Sequence, residues 1–286
     1  IIVETTEKSV RSNVRNDIAE IEIFMPITRH YRIEPVIKML RELNTANTRC
    51  TALFCIDTTD ITVAQVQDRI AYFEMPFETR VIHTNKPPVG EIRMAARRDR
   101  IRDMLNFAKK QIRKDADMVF MVEDDSQIDP NALQSLLENF AHFETAGIKV
   151  GLISGLQVGR HGYRMLGAWR TDDLNDPKVM ETIPFTRKYL LEKVDAAGLF
   201  CFLTPAHLFT SHEFYWHDEC FAPDVTYGLE LRKQGYENFV DWSVTAGHVQ
   251  RDLSMLVPND QCVVVRYEKQ PEGHWLLVNQ GKGKIS

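Results

Sequence analysis

The run MVFMV (Met118–Val122) is five apolar residues without a polar interruption, and three acids, Glu123, Asp124 and Asp125, follow it directly. A solvated sheet face would put polar residues at alternate positions, so the unbroken run predicts a strand buried on both faces. Such a strand belongs in a mainly parallel sheet with helices packed on each side. Three adjacent carboxylates then leave the sheet at one point, where they repel one another and where burial raises the cost further. A positive partner is expected opposite them. A metal ion, a lysine or plain water are the alternatives, and the choice decides the chemistry.

The rest of the chain keeps the rhythm that this strand implies. IEIFMPI (Ile21–Ile27), CTALFCID (Cys50–Asp57) and FETRVIHT (Phe77–Thr84) predict strands, the last closed by KPPVG. PVIKMLRELNTAN, with Val36, Ile37, Leu40 and Leu43 at helical spacing, predicts a helix, as do ITVAQVQDRIAYF and the basic EIRMAARRDRIRDMLNFAKKQIRK. Asp129-Pro130 opens a further helix, PNALQSLLENFAHF, with proline where a first turn tolerates it. KVGLISGLQV (Lys149–Val158) adds a strand, after which residues 159–190 read as loop and short strands. CVVVRYEK and HWLLVNQ predict a strand pair around QPEGH. This alternation predicts a single α/β domain, Rossmann-like, with a mainly parallel central sheet flanked by helices and an irregular second half. Residues 1–20 form a polar N-terminal arm in this plan, 21–250 the domain, and 251–286 a C-terminal lid and tail. The polar stretch RDLSMLVPNDQ is expected to close over the site and exclude water.

A net charge of −5 among 286 residues gives no general attraction to nucleic acid. The five cysteines are odd in number and no pair has CxxC spacing, which fits a reducing, cytoplasmic compartment. No run of eighteen apolar residues exists, so no transmembrane helix is expected. The chain opens on IIVETTEKSV, with neither a methionine nor a basic targeting region.

In an open α/β sheet, ligands collect beyond the carboxyl ends of the strands. Asp57 ends the second strand and Glu123–Asp125 end the fourth, so both point to that edge. Asp57 alone reads equally well as a loop acid, with Asp60 capping the next helix. Capping uses one carboxylate, so the triple acid exceeds it. No GxxxxGK[ST] is present, and PITRHYR after the first strand lacks the glycines of a dinucleotide fingerprint. HExxH is also missing. Carboxylates with an imidazole suit a hard cation, Mg²⁺ or Mn²⁺. The stretch from Glu219 to Val249 predicts a short helix stopped by Gly235, a strand, and then His248. A histidine read alone is more often structural.

Six blocks taken in order resemble the GT-A glycosyltransferases, most of all the large inverting, family 2-like group. They are IFMPITRHYRIEPVIKML, LFCIDTTD, EIRMAARRDRIRDML, VFMVEDDSQIDPNAL at the place of that family's DxD motif, VDAAGLFCFLTPAHLF, and FAPDVTYGLELRKQGYENFVDWSVTAGH. The resemblance covers about residues 21–250. It implies a metal-dependent enzyme of hexosyltransferase type, moving sugar from a UDP- or GDP-sugar to a hydroxyl on a saccharide, a small molecule or a modified nucleic acid. Glu123, Asp125 and His248 would then hold Mn²⁺ or Mg²⁺. Asp57, Asp124, the loop from Pro26 to Thr28, and Arg97 or Arg98 would bind the nucleotide-sugar. Asp224 would be the general base, kept ionised by the helix that it opens. Trp169, Tyr215 and Trp216 would offer stacking faces for the acceptor, or else pack as partly buried core. Three departures stand out: Glu123 replaces the first DxD aspartate, IDTTD lacks a glycine-serine loop, and Pro223 stands where the family pairs a second acid with Asp224. The last leaves a retaining transferase on the same fold open. A metal-dependent phosphotransferase or nuclease, and a non-catalytic carbohydrate- or nucleotide-binding module, are the rival readings.

Overall fold

The computed structural model describes residues 19–86, 94–159, 164–186, 190–217, 221–250, 254–273 and 275–280. The first half alternates as the apolar spacing predicts. It runs β1 (Ala19–Ile27), a 3-10 turn (His30–Arg32), α1 (Ile33–Arg41), β2 (Thr48–Ile56), α2 (Val63–Phe73), β3 (Glu78–His83), α3 (Met94–Ala108), β4 (Met118–Val122), β5 (Ser126–Gln127), α4 (Ala132–Thr145) and β6 (Val150–Leu156). Short strands then take over: β7 (Ala168–Thr171), β8 (Val179–Thr182), β9 (Leu191–Val194), β10 (Ala196–Ala197) and β11 (Cys201–Pro205). The chain closes with α5 (Ala206–Ser211), α6 (Pro223–Lys233), β12 (Glu237–Thr245), β13 (Gly247–Val249), β14 (Met255–Leu256), β15 (Val265–Lys269) and β16 (Trp275–Gln280).

Eight strands form the central sheet in the order β3-β2-β1-β4-β11-β6-β12-β9. β3, β2, β1 and β4 are mutually parallel, and β6 and β12 run the same way, while β11 and β9 oppose their neighbours. Both faces are covered, which explains the uninterrupted apolar runs. In β4, Phe120 and Val122 enter one core with residues of α1, α2 and α4. Val119 and Met121 enter the other, with residues of α3, α5 and α6. The result is an α/β sheet flanked by helices on each side.

Two antiparallel sheets complete the second half. β15 and β16, the predicted strand pair, extend β10-β7-β8 into a five-stranded sheet. The smaller sheet, β14-β13-β5, joins a strand before α4 to two strands near the carboxyl terminus. Residues 254–256 of the expected lid thus lead into β14 on this sheet; 251–253 lie outside the described residues, as do 1–18, most of KPPVG and 281–286. Cys50, Cys55, Cys201 and Cys262 are free thiols. No helix among the described residues is long and apolar enough to cross a membrane.

Candidate active site

The acid triplet lies between β4 and β5 at the carboxyl edge of the sheet. Because β1 is the parallel neighbour of β4, the loop after β1 arrives beside it. Asp124 is 7% exposed, and both of its oxygens are occupied by that loop. The backbone N–H and the hydroxyl of Thr28 donate to Oδ2 at 2.7 and 2.8 Å. Arg32 Nη1 donates to Oδ1 at 2.8 Å, and the same nitrogen lies 2.9 Å from Asp125 Oδ2. A positive partner is therefore present within the chain, an arginine from PITRHYR rather than a lysine. Burial and the charge of Asp125 push the Asp124 carboxyl above the usual carboxylate range, against the pull of Arg32 and Thr28. Burial opposes the charge on Arg32, but the two carboxylates together outweigh it and raise its pKa.

His248 reaches the same turn from the far end of the chain. β13 pairs with β5, setting His248 opposite Ser126, and Val249 N–H donates to the Asp125 carbonyl at 2.8 Å. His248 Nδ1 lies 2.7 Å from the Val158 carbonyl oxygen. A carbonyl only accepts, so Nδ1 carries a hydrogen and Nε2 turns toward Asp125 Oδ2, 3.5 Å away. A neutral imidazole would face its lone pair toward a carboxylate oxygen there, and a positive charge between them relieves that opposition. By donor type, a carboxylate oxygen and an imidazole nitrogen, the Asp125–His248 pair would suit a divalent cation, with a carbonyl fixing the imidazole tautomer. Glu123 is half-buried, and its backbone N–H donates to the Phe200 carbonyl. Among the described residues no three His, Cys, Asp or Glu side chains are grouped to hold a metal.

Asp57 stands at the end of β2, two strands from the acid turn and 3% exposed. Thr84 hydroxyl donates to its Oδ1 at 2.9 Å, and Arg100 Nε is ion-paired with its Oδ2. Asp60 does not cap α2; Thr62 and Gln65 do, through a reciprocal capping box. Arg100 lies on α3, the helix of Arg97 and Arg98, whose side chains are outside the described residues. Spacing along EIRMAARRDRIRDML gave no reason to prefer Arg100. The preference comes from the third dimension, since α3 packs on the face that β2 presents with Leu53 and Cys55.

Asp224 lies in the first turn of α6, directly after Pro223. Its carboxylate is half-buried and accepts the Val225 N–H at 2.9 Å, an arrangement that serves the helix start. The expectation that the helix end holds its pKa low is reversed. Burial outweighs the backbone donors of the first turn and pushes it up to about 6. α6 packs against β10, where a Cβ on Gly228 would meet Ala196 Cα at 2.6 Å. β10 leads within four residues to Phe200, whose carbonyl binds the acid turn. Beside this helix start, Trp169 and Trp275 pack on a small cluster containing Phe221 and Val225. Trp275 was not anticipated, because HWLLVNQ reads only as a strand. Tyr215 is 36% exposed and its hydroxyl donates to Glu230.

No protein-family model matches the chain. No curated protein matches it either. Solved structures do resemble it. A197 from STIV is 12% identical with a TM-score of 0.43, over 93% of this chain and 98% of that one. TarS 1–349 of S. aureus, in complex with UDP-GlcNAc, is 12% identical with a TM-score of 0.44, over 78% and 55% of the two chains. The mannosyltransferase PcManGT from Pyrobaculum calidifontis, in complex with GDP-Man and Mn²⁺, is 11% identical with a TM-score of 0.47, over 81% and 57%. The chain thus spans a little over half the length of the last two. At such identity these likenesses concern the path of the chain and reach no individual side chain.

Proposed function

We propose that this protein transfers a hexosyl group from a UDP- or GDP-linked sugar to a hydroxyl acceptor. The observation that carries the proposal is the meeting of Asp125 and His248 at 3.5 Å at the carboxyl edge of the sheet, on the same edge as buried Asp57. In this reading Asp125 and His248 hold Mn²⁺ or Mg²⁺, with Glu123 at the rim of the site. When bound, the cation compensates the charge that grows on the departing diphosphate.

The chain's own residues supply the rest. Asp57, braced by Arg100 and Thr84, accepts a hydrogen bond from a ring N–H of the base. The Pro26–Thr28 loop lines the nucleoside, and its bonds to Asp124 keep the acid turn in register with it. Asp224 takes the proton from the attacking hydroxyl. A pKa near 6 suits a base that works close to neutral pH. A single in-line displacement on this plan inverts the anomeric carbon. Trp169 and Trp275, partly buried beside the start of α6, would flank a saccharide acceptor.

The test is a panel of UDP-, GDP-, CMP- and dTDP-sugars with Mn²⁺, followed for donor hydrolysis and transfer. UDP- or GDP-sugars should be turned over, with the anomer of the first product read by proton NMR. Neither turnover nor binding of any donor would sink the proposal, and a retained anomer would sink its single-displacement form.

A further inference from the structure

Arg32 is 4% exposed, yet it is only half used. Its Nη1 serves Asp124 and Asp125, while Nε and Nη2, on the adjacent edge of the guanidinium, are shut off from solvent and meet no hydrogen-bond acceptor. Charged donors are costly to leave unbonded inside a protein. The Nε–Nη2 edge is also the fork that grips a carboxylate or phosphate through two parallel bonds. The other edge is fixed to the acid turn, so the fork is held rigidly beside it. Tyr31, 46% exposed, lies over the guanidinium with its ring centre 5.4 Å from Cζ.

We infer that Arg32 is a phosphate-binding residue whose free Nε–Nη2 edge takes oxygens of the donor's diphosphate. This inference rests on the proposed nucleotide-sugar reading and adds to it a residue that couples the acid turn to the leaving group. The local charges agree. Three carboxylates, counting Glu123 at the rim, against one guanidinium leave two negative charges, which favours a divalent cation. With that cation the turn is neutralised, and repulsion of an approaching anion by the carboxylates is removed. Arg32 then holds its carboxylates and the diphosphate at once, one on each edge. Lysine cannot do this, because it has no second edge.

The experiment is calorimetric titration of the full chain, in Mg²⁺, with pyrophosphate, uridine and guanosine, for the wild type and Arg32→Lys. Pyrophosphate affinity should fall at least tenfold in Arg32→Lys. Equal affinity in the two proteins, or no pyrophosphate binding by the wild type, overturns the inference. Should Arg32→Lys not fold, ¹⁵N-arginine labelling of the wild type gives an independent readout. The Arg32 Nε–H resonance, identified through its contact with the Tyr31 ring, should move downfield as pyrophosphate is added, and an unmoved resonance overturns the inference. Nucleoside binding separates the two readings. A pyrophosphate response without uridine or guanosine binding would sink the nucleotide-sugar reading and leave the Arg32 edge standing. Nucleoside binding without a pyrophosphate response would sink the edge alone.

Discussion

The Asp224 carboxylate sits under opposing influences, burial raising its pKa and first-turn N–H groups lowering it, with the balance at about 6. As a base it must be ionised, so turnover should fall about tenfold per pH unit below that value. Asp224→Asn should abolish this acid limb and lower turnover by about 10²–10⁴-fold. An unchanged profile would leave Asp224 with only its capping contact. The same shift has a sign for stability. The folded state holds this proton more tightly than the unfolded chain, so the contribution is fully present below the ordinary carboxylate pKa and is lost as pH rises through about 6. Asp224→Asn removes the buried charge and should melt higher than the wild type at pH 8, by an amount on the order of 1 kcal/mol. Asp57 behaves differently because Arg100 is paired with it. Asp57→Ala strands a buried guanidinium and should cost about 3–5 kcal/mol in urea unfolding. Asp57→Asn keeps the shape and is the cleaner probe of base recognition. It should raise the donor KM roughly tenfold or more, and an unchanged KM would make Asp57 purely structural. Asp57, Asp125 and Asp224 each stand at the end or start of an element visible in the sequence, whereas only the family resemblance singles out His248. Arg32 and Arg100 could not be picked from the sequence, since each gains meaning only from a partner across the strand order.

Elements with a continuous apolar signal were legible almost to the residue. β4 spans Met118–Val122 as MVFMV predicts, because two-sided burial leaves no other arrangement for five apolar side chains. Elements made by pairing were not. β13 is three residues long and exists because β5 and β14 supply its partners, which GHV alone cannot announce. The packing of α6 on β10 was equally hidden. Its key is Gly228, where an added Cβ would lie 2.6 Å from Ala196 Cα and 2.8 Å from the Asp195 carbonyl oxygen. Alanine favours a helix over glycine by about 1 kcal/mol. Here the obstructing atoms include backbone, which cannot swing aside, and overpacking of this kind costs about 1–3 kcal/mol. The second effect should win. Gly228→Ala should lower stability and, by displacing the start of α6, lower kcat more than donor binding. A Gly228→Ala protein as stable as the wild type, with normal kcat, would show that α6 does not need this close approach to β10.

At the scale of the molecule, the acid turn is where distant parts of the chain are joined. The loop after β1 holds it through Thr28 and Arg32, the chain entering β11 holds it through Phe200, and β13 holds it through His248 and Val249. A cation bound between Asp125 and His248 would tie the first half of the chain to its carboxyl-terminal region and so stabilise the whole fold. Binding to the folded state alone stabilises it by about 2.7 kcal/mol at a hundredfold excess over Kd. For a chain of this size that is a rise of roughly 5 °C or more in Tm. Mn²⁺ or Mg²⁺ should therefore raise the Tm of the wild type, and EDTA should reverse the rise. His248 is 7% exposed, so His248→Ala will lose some stability through packing alone. The informative quantity is the increment that metal adds to each protein, which cancels that packing loss. The increment should be largely lost in His248→Ala and in Asp125→Asn. It should survive in Asp224→Asn, whose carboxylate lies on α6 and outside the acid turn. A wild-type Tm indifferent to both metals, or an equal increment in His248→Ala, would mean that the meeting of Asp125 and His248 serves the architecture and holds no cation.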